Sequence, residues 1–307
     1  MRVVITGGAG FIGSNLADRL LGEGMEVVAI DDLSNGDQRN LQGLDAELVV
    51  GSILDPALLD ATVAGADCIV HFAARGSVPK SVADPVATHE RNNTGTLMVL
   101  EAARRAGNLH TVVASSSSVY GAVPDLPKHE DLATRPMSPY GVSKLATEWY
   151  ALAYQHSYGL PSLVFRFFNV YGPRQPAGHA YAAVIPAWIA AALAGDPVVV
   201  YGDGMQSRDF TYVDSVTAVV SEAITRRLVD PIPVNLAFGG GSTLLDLAAK
   251  LEEIVGSPIA LQHAEPRKGD IRHSSADPSR LLRLFPQVAP IGLDEGLART
   301  VAWWRRR

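Results

Sequence analysis

A short apolar run, Val3-Val4-Ile5-Thr6, leads into Thr6-Gly7-Gly8-Ala9-Gly10-Phe11-Ile12-Gly13, and a stretch with helical spacing follows over residues 12–21. This strand, glycine turn and helix constrain the fold more than any other feature. Glycine at 7, 10 and 13 permits a tight turn, lets backbone approach a pyrophosphate, and allows the helix to pack closely on a sheet. The helix N-terminus then presents unpaired N–H groups and the positive end of its dipole to phosphate. A glycine cluster alone is also compatible with an ordinary turn, so the context matters. Asp31 stands 18 residues after Gly13, at the end of the next apolar run, near the spacing at which a carboxylate grips an adenosine ribose. A carboxylate there repels a 2′-phosphate and favours NAD over NADP.

The apolar runs continue at Val27-Val28-Ala29-Ile30, Leu48-Val49-Val50, Cys68-Ile69-Val70 and Thr111-Val112-Val113-Ala114, with helical stretches near residues 56–63 and 84–106. Strands that are apolar throughout, rather than alternating, suit a parallel sheet covered on both faces. Strand and helix in regular alternation predict an α/β, doubly wound (Rossmann) parallel sheet. After about Asn169 the regularity weakens, Gly and Pro become frequent, and helices are expected near 182–194 and 242–255. The reading is an NAD-binding Rossmann domain over 1–168 and a smaller mixed α/β substrate lobe over 169–307, some of whose segments return to the first domain.

Composition narrows the partners. There are 26 Lys and Arg against 32 Asp and Glu, a net charge of −6, which disfavours a nucleic-acid polymer because such binding needs a basic surface field. The single cysteine, Cys68, allows no intramolecular disulfide and no multi-cysteine metal site, and none of the eight His shows ligand spacing, so no metal is expected. No apolar stretch reaches membrane-spanning length, and the chain does not begin like a signal peptide, so a soluble, cytoplasmic protein with no membrane partner is expected.

Tyr140-Gly141-Val142-Ser143-Lys144 puts Tyr and Lys four residues apart, on one face of a helix predicted to begin near Ser138-Pro139. Lys144 is one of only five lysines. A cation beside the phenol, with a positive nicotinamide nearby, is expected to lower the tyrosine pKa towards neutrality; three units would need roughly 4 kcal/mol of differential stabilisation. Such a tyrosine can take a proton from a sugar or alcohol hydroxyl while hydride leaves for the cofactor. Ser115-Ser116-Ser117-Ser118-Val119-Tyr120-Gly121 closes the fifth strand at the carboxyl edge, where doubly wound sheets bind ligands, and one of these serines could relay the proton.

With His71-Phe72-Ala73-Ala74 and Arg166-Phe167-Phe168-Asn169-Val170-Tyr171-Gly172-Pro173-Arg174, these motifs resemble the extended short-chain dehydrogenase/reductase family, and within it the NAD-dependent UDP-hexose 4-epimerases, over nearly the whole chain. The resemblance implies Ser116 as catalytic hydroxyl, Tyr140 as base and Lys144 as the residue that tunes it. It implies NAD contacts from Gly7, Gly10, Phe11, Ile12, Gly13, Asp31, Asp32, Asn35, Gly36, Ser52, Ile53, Phe72, Ala73, Ala74 and Asn92, beside Tyr140 and Lys144. One departure is Ser52, where family members usually carry an Asp that contacts the adenine amino group. For a UDP-sugar it implies contacts from Arg75, Gly76, Ser116, Ser117, Ser118, Tyr140, Ala183 and Val184. In the second lobe Asn169, Arg208 and Arg267 fall at the diphosphate, Tyr201 beside the uracil, Asp270 at the ribose and Ser274 near the sugar.

The resemblance also bears on the reaction. Sister 4,6-dehydratases carry an Asp-Glu pair where this chain has Ser117 and Ser118, neither of which can serve as a carboxyl acid or base. Epimerisation at C4 through a 4-keto sugar is therefore expected. Gly76, Ala183 and Ser274 are small, which leaves room for a 2-acetamido group as in UDP-N-acetylglucosamine, while UDP-glucose remains open. A UDP-uronate, with Arg75 or Arg174 at its carboxylate, is the weaker alternative because uronate epimerases commonly have Thr at the position of Asn169. A non-catalytic NAD-sensing protein usually loses the Tyr/Lys pair that this chain retains; a plain reductase would need cofactor exchange. Relatives are commonly homodimers, here through the helices near 84–106 and 141–157.

Overall fold

The computed structural model describes residues 1–177, 183–266 and 272–307. The chain divides into two compact units, the first comprising Met1–Pro124, Glu130–Phe167 and Thr217–Leu236, the second Asp125–His129, Phe168–Val216 and Ala237–Arg307.

The first unit begins with β1 (Arg2–Thr6), α1 (Phe11–Gly22), β2 (Glu26–Asp31), β3 (Glu47–Val50), α2 (Pro56–Val63) and β4 (Cys68–His71). Then come the short helices α3 (Val78–Ala83) and α4 (Pro85–His89), α5 (Gly95–Arg105), β5 (His110–Ser116), α6 (Pro139–Tyr158) and β6 (Ser162–Phe167). With the strand Val234–Leu236 these form a seven-stranded sheet in the order 234–236, β6, β5, β4, β1, β2, β3, every pair parallel. The doubly wound parallel sheet expected from the sequence is thus present. The chain order reverses between β1 and β4, and open α/β sheets bind ligands outside the carboxyl ends of the strands at such a point.

The apolar runs form the sheet interior because both faces are covered. Val4, Ile30, Ile69, Val113 and Val164 pack with Leu59 of α2, Val99 and Leu100 of α5 and Ala151 of α6 in one buried cluster. Each such aliphatic side chain contributes roughly 1.5–3 kcal/mol when removed from water. α2 is started by Asp55, whose carboxylate accepts from the backbone N–H of Ala57 and Leu58, and by Pro56 in its first turn.

The helix predicted over 84–106 is interrupted. Between α4 and α5 the residues Glu90–Thr94 form a π-helical turn. Such turns insert an extra residue and redirect side chains. Here the turn carries the fully buried Asn92.

In the second unit the strand Asn169–Tyr171 pairs with Phe210–Tyr212, Val198–Tyr201 with Leu261–Ala264, and Ser207–Arg208 with Ser242–Thr243. Its helices include Val184–Ala194, Leu244–Val255 and Leu293–Trp304. Among the described residues no helix is long and apolar enough to cross a membrane.

Candidate active site

The glycine turn packs tightly on its neighbours. Gly7 has φ +72°, and a Cβ there would lie 2.8 Å from the backbone nitrogen of Ala73. A Cβ on Gly13 would strike the Gly7 carbonyl oxygen. The turn is anchored by Gly7 N–H donating to the Ile30 carbonyl at 2.7 Å. Gly10 is the N-cap of α1 and no side chain caps the helix, so the first-turn N–H groups around Phe11, Ile12 and Gly13 face the turn without a competing side-chain acceptor. This cradle, closed to any Cβ at Gly7 and Gly13 and headed by an uncapped helix, fits a dinucleotide pyrophosphate.

At the end of β2 the Asp31 carboxylate accepts from Ala9 N–H at 3.0 Å and Leu33 N–H at 2.9 Å, so it braces the glycine turn as well as standing at the expected ribose position. Burial raises its pKa, while these N–H groups pull the other way. Gly36 closes over it, a Cβ there meeting Asp31 Oδ1 at 2.5 Å. Asp32 accepts from Ser34 N–H at 2.9 Å, and Asn35 Oδ1 accepts from Lys80 Nζ at 2.9 Å. Ser52 accepts from Leu54 N–H at 3.2 Å, a local turn. The Ile53 side chain belongs to the apolar cluster under α5.

From β4 the segment through Phe72, Ala73 and Ala74 runs along the turn. Phe72 N–H donates to the Thr6 carbonyl at 3.0 Å, Ala73 N–H to the Thr6 hydroxyl at 3.3 Å, and Phe72 stacks edge-on against Phe167 at 5.6 Å. Asn92 spends its amide on protein: Oδ1 accepts from Arg75 N–H at 2.7 Å and Nδ2 donates to Ser143 Oγ at 2.9 Å. It thereby ties the end of this segment to α6. Arg75 is ion-paired with Asp84 at 2.9 Å, and a Cβ on Gly76 would meet open space.

α6 starts where the sequence predicts. Ser138 caps it through Gly141 N–H at 3.1 Å, Pro139 occupies its first turn, and Ser81 accepts from Tyr140 N–H at 3.0 Å. A Cβ on Gly141 would lie 2.9 Å from the Ser118 carbonyl, so glycine lets the helix start approach the end of β5. There the Ser116 side chain acts on the Tyr140 phenol and lowers its pKa, and Ser118 Oγ donates to Ser116 Oγ at 2.9 Å. Lys144 Nζ donates to the Ala114 carbonyl at 2.8 Å.

The expected lowering of the Tyr140 pKa is not produced by the chain's own atoms. Burial pushes the phenol up, and only its hydrogen bond with Ser116 pulls it down. The ammonium of Lys144 is directed at a backbone carbonyl, and burial lowers it to about 8 while the Glu148 carboxylate acts in the opposite direction.

Two buried networks escaped the sequence reading. His71 spans Thr6 Oγ1 at 2.8 Å and Thr96 Oγ1 at 2.9 Å, and burial, then Lys144, lowers its pKa to about 3, so it is neutral. Arg166 of β6 makes a bidentate pair with Glu148 of α6, Nε and Nη2 each 2.9 Å from a carboxylate oxygen, and Ser115 Oγ donates to Glu148 Oε1 at 2.5 Å. Glu148 is the next position on the Tyr140/Lys144 face at the same four-residue spacing, a signal that was available.

In the second unit Asn169 Nδ2 donates to the Asp209 carbonyl at 3.3 Å, and the Tyr201 carbonyl accepts from Gln206 Nε2 at 2.7 Å. Arg208 Nη1 donates to the Ser207 carbonyl at 2.8 Å, and Ser274 N–H to the same carbonyl at 3.1 Å, so Arg208 and Ser274 share one strand edge. Ala183 precedes the helix that Val184 opens. Arg267 and Asp270 lie outside the described residues.

Residues 3–237 match the model of the NAD dependent epimerase/dehydratase family. The chain is 37% identical to a UDP-glucose 4-epimerase of Mycolicibacterium smegmatis, over 100% of its own length and 99% of that protein. It is 34% identical to a probable UDP-glucuronate 4-epimerase of Rhizobium meliloti, over 99% and 97% of the two chains. Among solved structures it is similar to a UDP-N-acetylglucosamine 4-epimerase from Methanobrevibacter ruminantium in complex with UDP-N-acetylmuramic acid, with TM-score 0.94, 36% identity, and 99% and 98% of the two chains covered.

Proposed function

The chain belongs to the NAD-dependent epimerase/dehydratase family, an enzyme family that uses NAD, and from that premise we propose that it inverts C4 of a UDP-hexose through a 4-keto sugar. The observation that carries the reading is the Lys144 ammonium fixed on the Ala114 carbonyl at the carboxyl end of β5, the strand end that carries Ser116, with Tyr140 one helical turn away on α6.

NAD+, when bound, supplies a hydride acceptor that can return what it takes. The glycine turn and the uncapped start of α1 would hold its pyrophosphate, and Asp31 its adenosine ribose. Tyr140 takes the proton of the sugar 4-hydroxyl, directly or through Ser116, and later gives it back. Ser118 steadies Ser116 by donating to it. Lys144 holds positive charge near the phenol. With hydroxyls rather than carboxyls at 117 and 118, the chain has no group there to eliminate water, which favours epimerisation over dehydration. In the second unit we assign Asn169 and Arg208 to the diphosphate and Tyr201 to the base, since a guanidinium gives charge-assisted, bidentate bonds to phosphate. Arg267 and Asp270 are assigned to the same nucleotide on sequence grounds.

In the first unit the open space at Gly76 favours a 2-acetamido sugar, UDP-N-acetylglucosamine, with UDP-glucose also accepted, and the small Ser274 favours it on sequence grounds. The test is purified protein with UDP-N-acetylglucosamine, UDP-glucose and UDP-glucuronate in parallel. The reading expects kcat/KM highest for the N-acetylated sugar and a loss of about 10-fold or more for that sugar in Ser274→Tyr, with less effect on UDP-glucose. Preference for UDP-glucuronate would overturn the substrate assignment.

We further propose a homodimer in a reducing cytoplasm. The outer face of α6 leaves Val142, Trp149 and Tyr150 exposed, and Val86 of α4 is also exposed, an apolar face that suits a second copy. The lone cysteine, Cys68, is buried and free.

A further inference from the structure

Glu148 and Arg166 are both almost wholly buried, with side chains 2% and 5% exposed. A buried ion pair is weak evidence for stability, since well-packed apolar residues often serve as well, so its placement deserves another explanation. Ser115 of β5 and Arg166 of β6 are register partners in the sheet, and Glu148 grips both from α6. Ser115 is bracketed by Ala114, whose carbonyl receives Lys144, and Ser116, which meets Tyr140. Arg166 is itself held by Tyr120, whose hydroxyl accepts from Nη1 at 3.0 Å and donates to Asn235 Oδ1 at 2.7 Å.

We propose that Glu148 is the positioning residue of the proton-handling pair: it locks β5, β6 and α6 at one point, so that Ala114 and Ser116 meet Lys144 and Tyr140, and its carboxylate is the counter-charge of the Lys144 ammonium. The inference rests on the reading of Tyr140 and Lys144 as that pair. Glu148 and Tyr140 lie one turn from Lys144 on α6, Arg166 stands on β6 behind Glu148, and His71 on β4 is neutral. Glu148 is ion-paired with Arg166, and its charge also acts on the Lys144 ammonium, whose own hydrogen bond goes to Ala114. Without the Glu148 charge, burial acts on Lys144 unopposed, and the ammonium loses its proton at lower pH.

The chain has five lysines, so lysine labelled with 13C at Cε gives a spectrum that Lys144→Met assigns. The titration midpoint of Lys144 is expected to fall by about one pH unit or more in Glu148→Gln and to stay near the wild-type value in Glu148→Asp, which keeps the charge. An unchanged midpoint in Glu148→Gln would overturn the proposal. Should Glu148→Gln fail to fold, Glu148→Asp decides: a shorter arm displaces Ser115, so kcat falls about 10-fold or more with KM and bound NAD unchanged, whereas wild-type kcat overturns the proposal. The titration needs no substrate, so absence of UDP-sugar turnover by the wild type would refute the proposed reaction and leave this inference to be judged by its own measurement.

Discussion

Lys144 Nζ is held 2.8 Å from the Ala114 carbonyl, two residues before the serine that meets Tyr140. One helix turn and one strand end thus fix the phenol, the hydroxyl and the ammonium against each other, with no loop between them. Tyr140→Phe removes the one group that can take the proton. Its kcat is expected to fall about 10²- to 10⁴-fold, the usual worth of a positioned acid–base group, with bound NAD unchanged. Turnover and cofactor content of the purified variant are the measurements; retained turnover would refute the base assignment.

The glycine turn admits a sharper test. Gly13→Ala pushes a methyl against the Gly7 carbonyl, so the variant is expected to lose bound NAD. Gly22, in the last turn of α1, faces open space. Gly22→Ala should keep its NAD and gain about 0.5–1 kcal/mol of stability from lower chain entropy. Ultraviolet absorbance of released cofactor and thermal unfolding distinguish the pair, and equal NAD content in both would contradict the cradle.

Asp209 in the second unit is buried, and burial raises its pKa to about 6 against the N–H groups of Ala276 and Gly239, each 3.2 Å from Oδ2. Because the folded value lies above the unfolded one, its contribution to stability is full below about pH 4 and is lost as pH rises through about 6. A difference of that size corresponds to about 3 kcal/mol. Asp209→Asn keeps an acceptor without the charge, so its unfolding temperature relative to wild type is expected to climb between pH 4 and pH 7. A constant offset across that range would contradict the assignment.

Trp149, 63% exposed on the outer face of α6, serves as the probe of self-association. Trp149→Glu places a charge in the middle of the proposed dimer face and is expected to turn a dimer into a folded monomer on light scattering. A wild-type protein that is already monomeric would remove the dimer from the account.

What the sequence displayed was periodicity and punctuation. The glycine turn, the apolar parallel strands, the Ser138-Pro139 start of α6 and the four-residue Tyr140/Lys144 spacing are local patterns, and each appears as an element of the fold. Relations between elements were hidden. The grip of Glu148 on Ser115 and Arg166 depends on the register of β5 with β6 and on how α6 lies across them. The π-turn that buries Asn92 looks like ordinary helix in a hydrophobic pattern, since an inserted residue leaves no compositional mark. The chain's own share in the Tyr140 pKa was hidden for a related reason: spacing places Lys144 on the right face but does not reveal that its ammonium is bound to Ala114 or how strongly the phenol is desolvated.

The central claim is that a hydride leaves C4 and returns to the same carbon within one active site. A UDP-sugar carrying deuterium at C4, incubated with purified protein and no added NAD, tests it most directly. The account predicts conversion to the C4 epimer with the deuterium still at C4. Epimer formed with the label exchanged into solvent, or no epimer from any UDP-sugar even with NAD supplied, would contradict it.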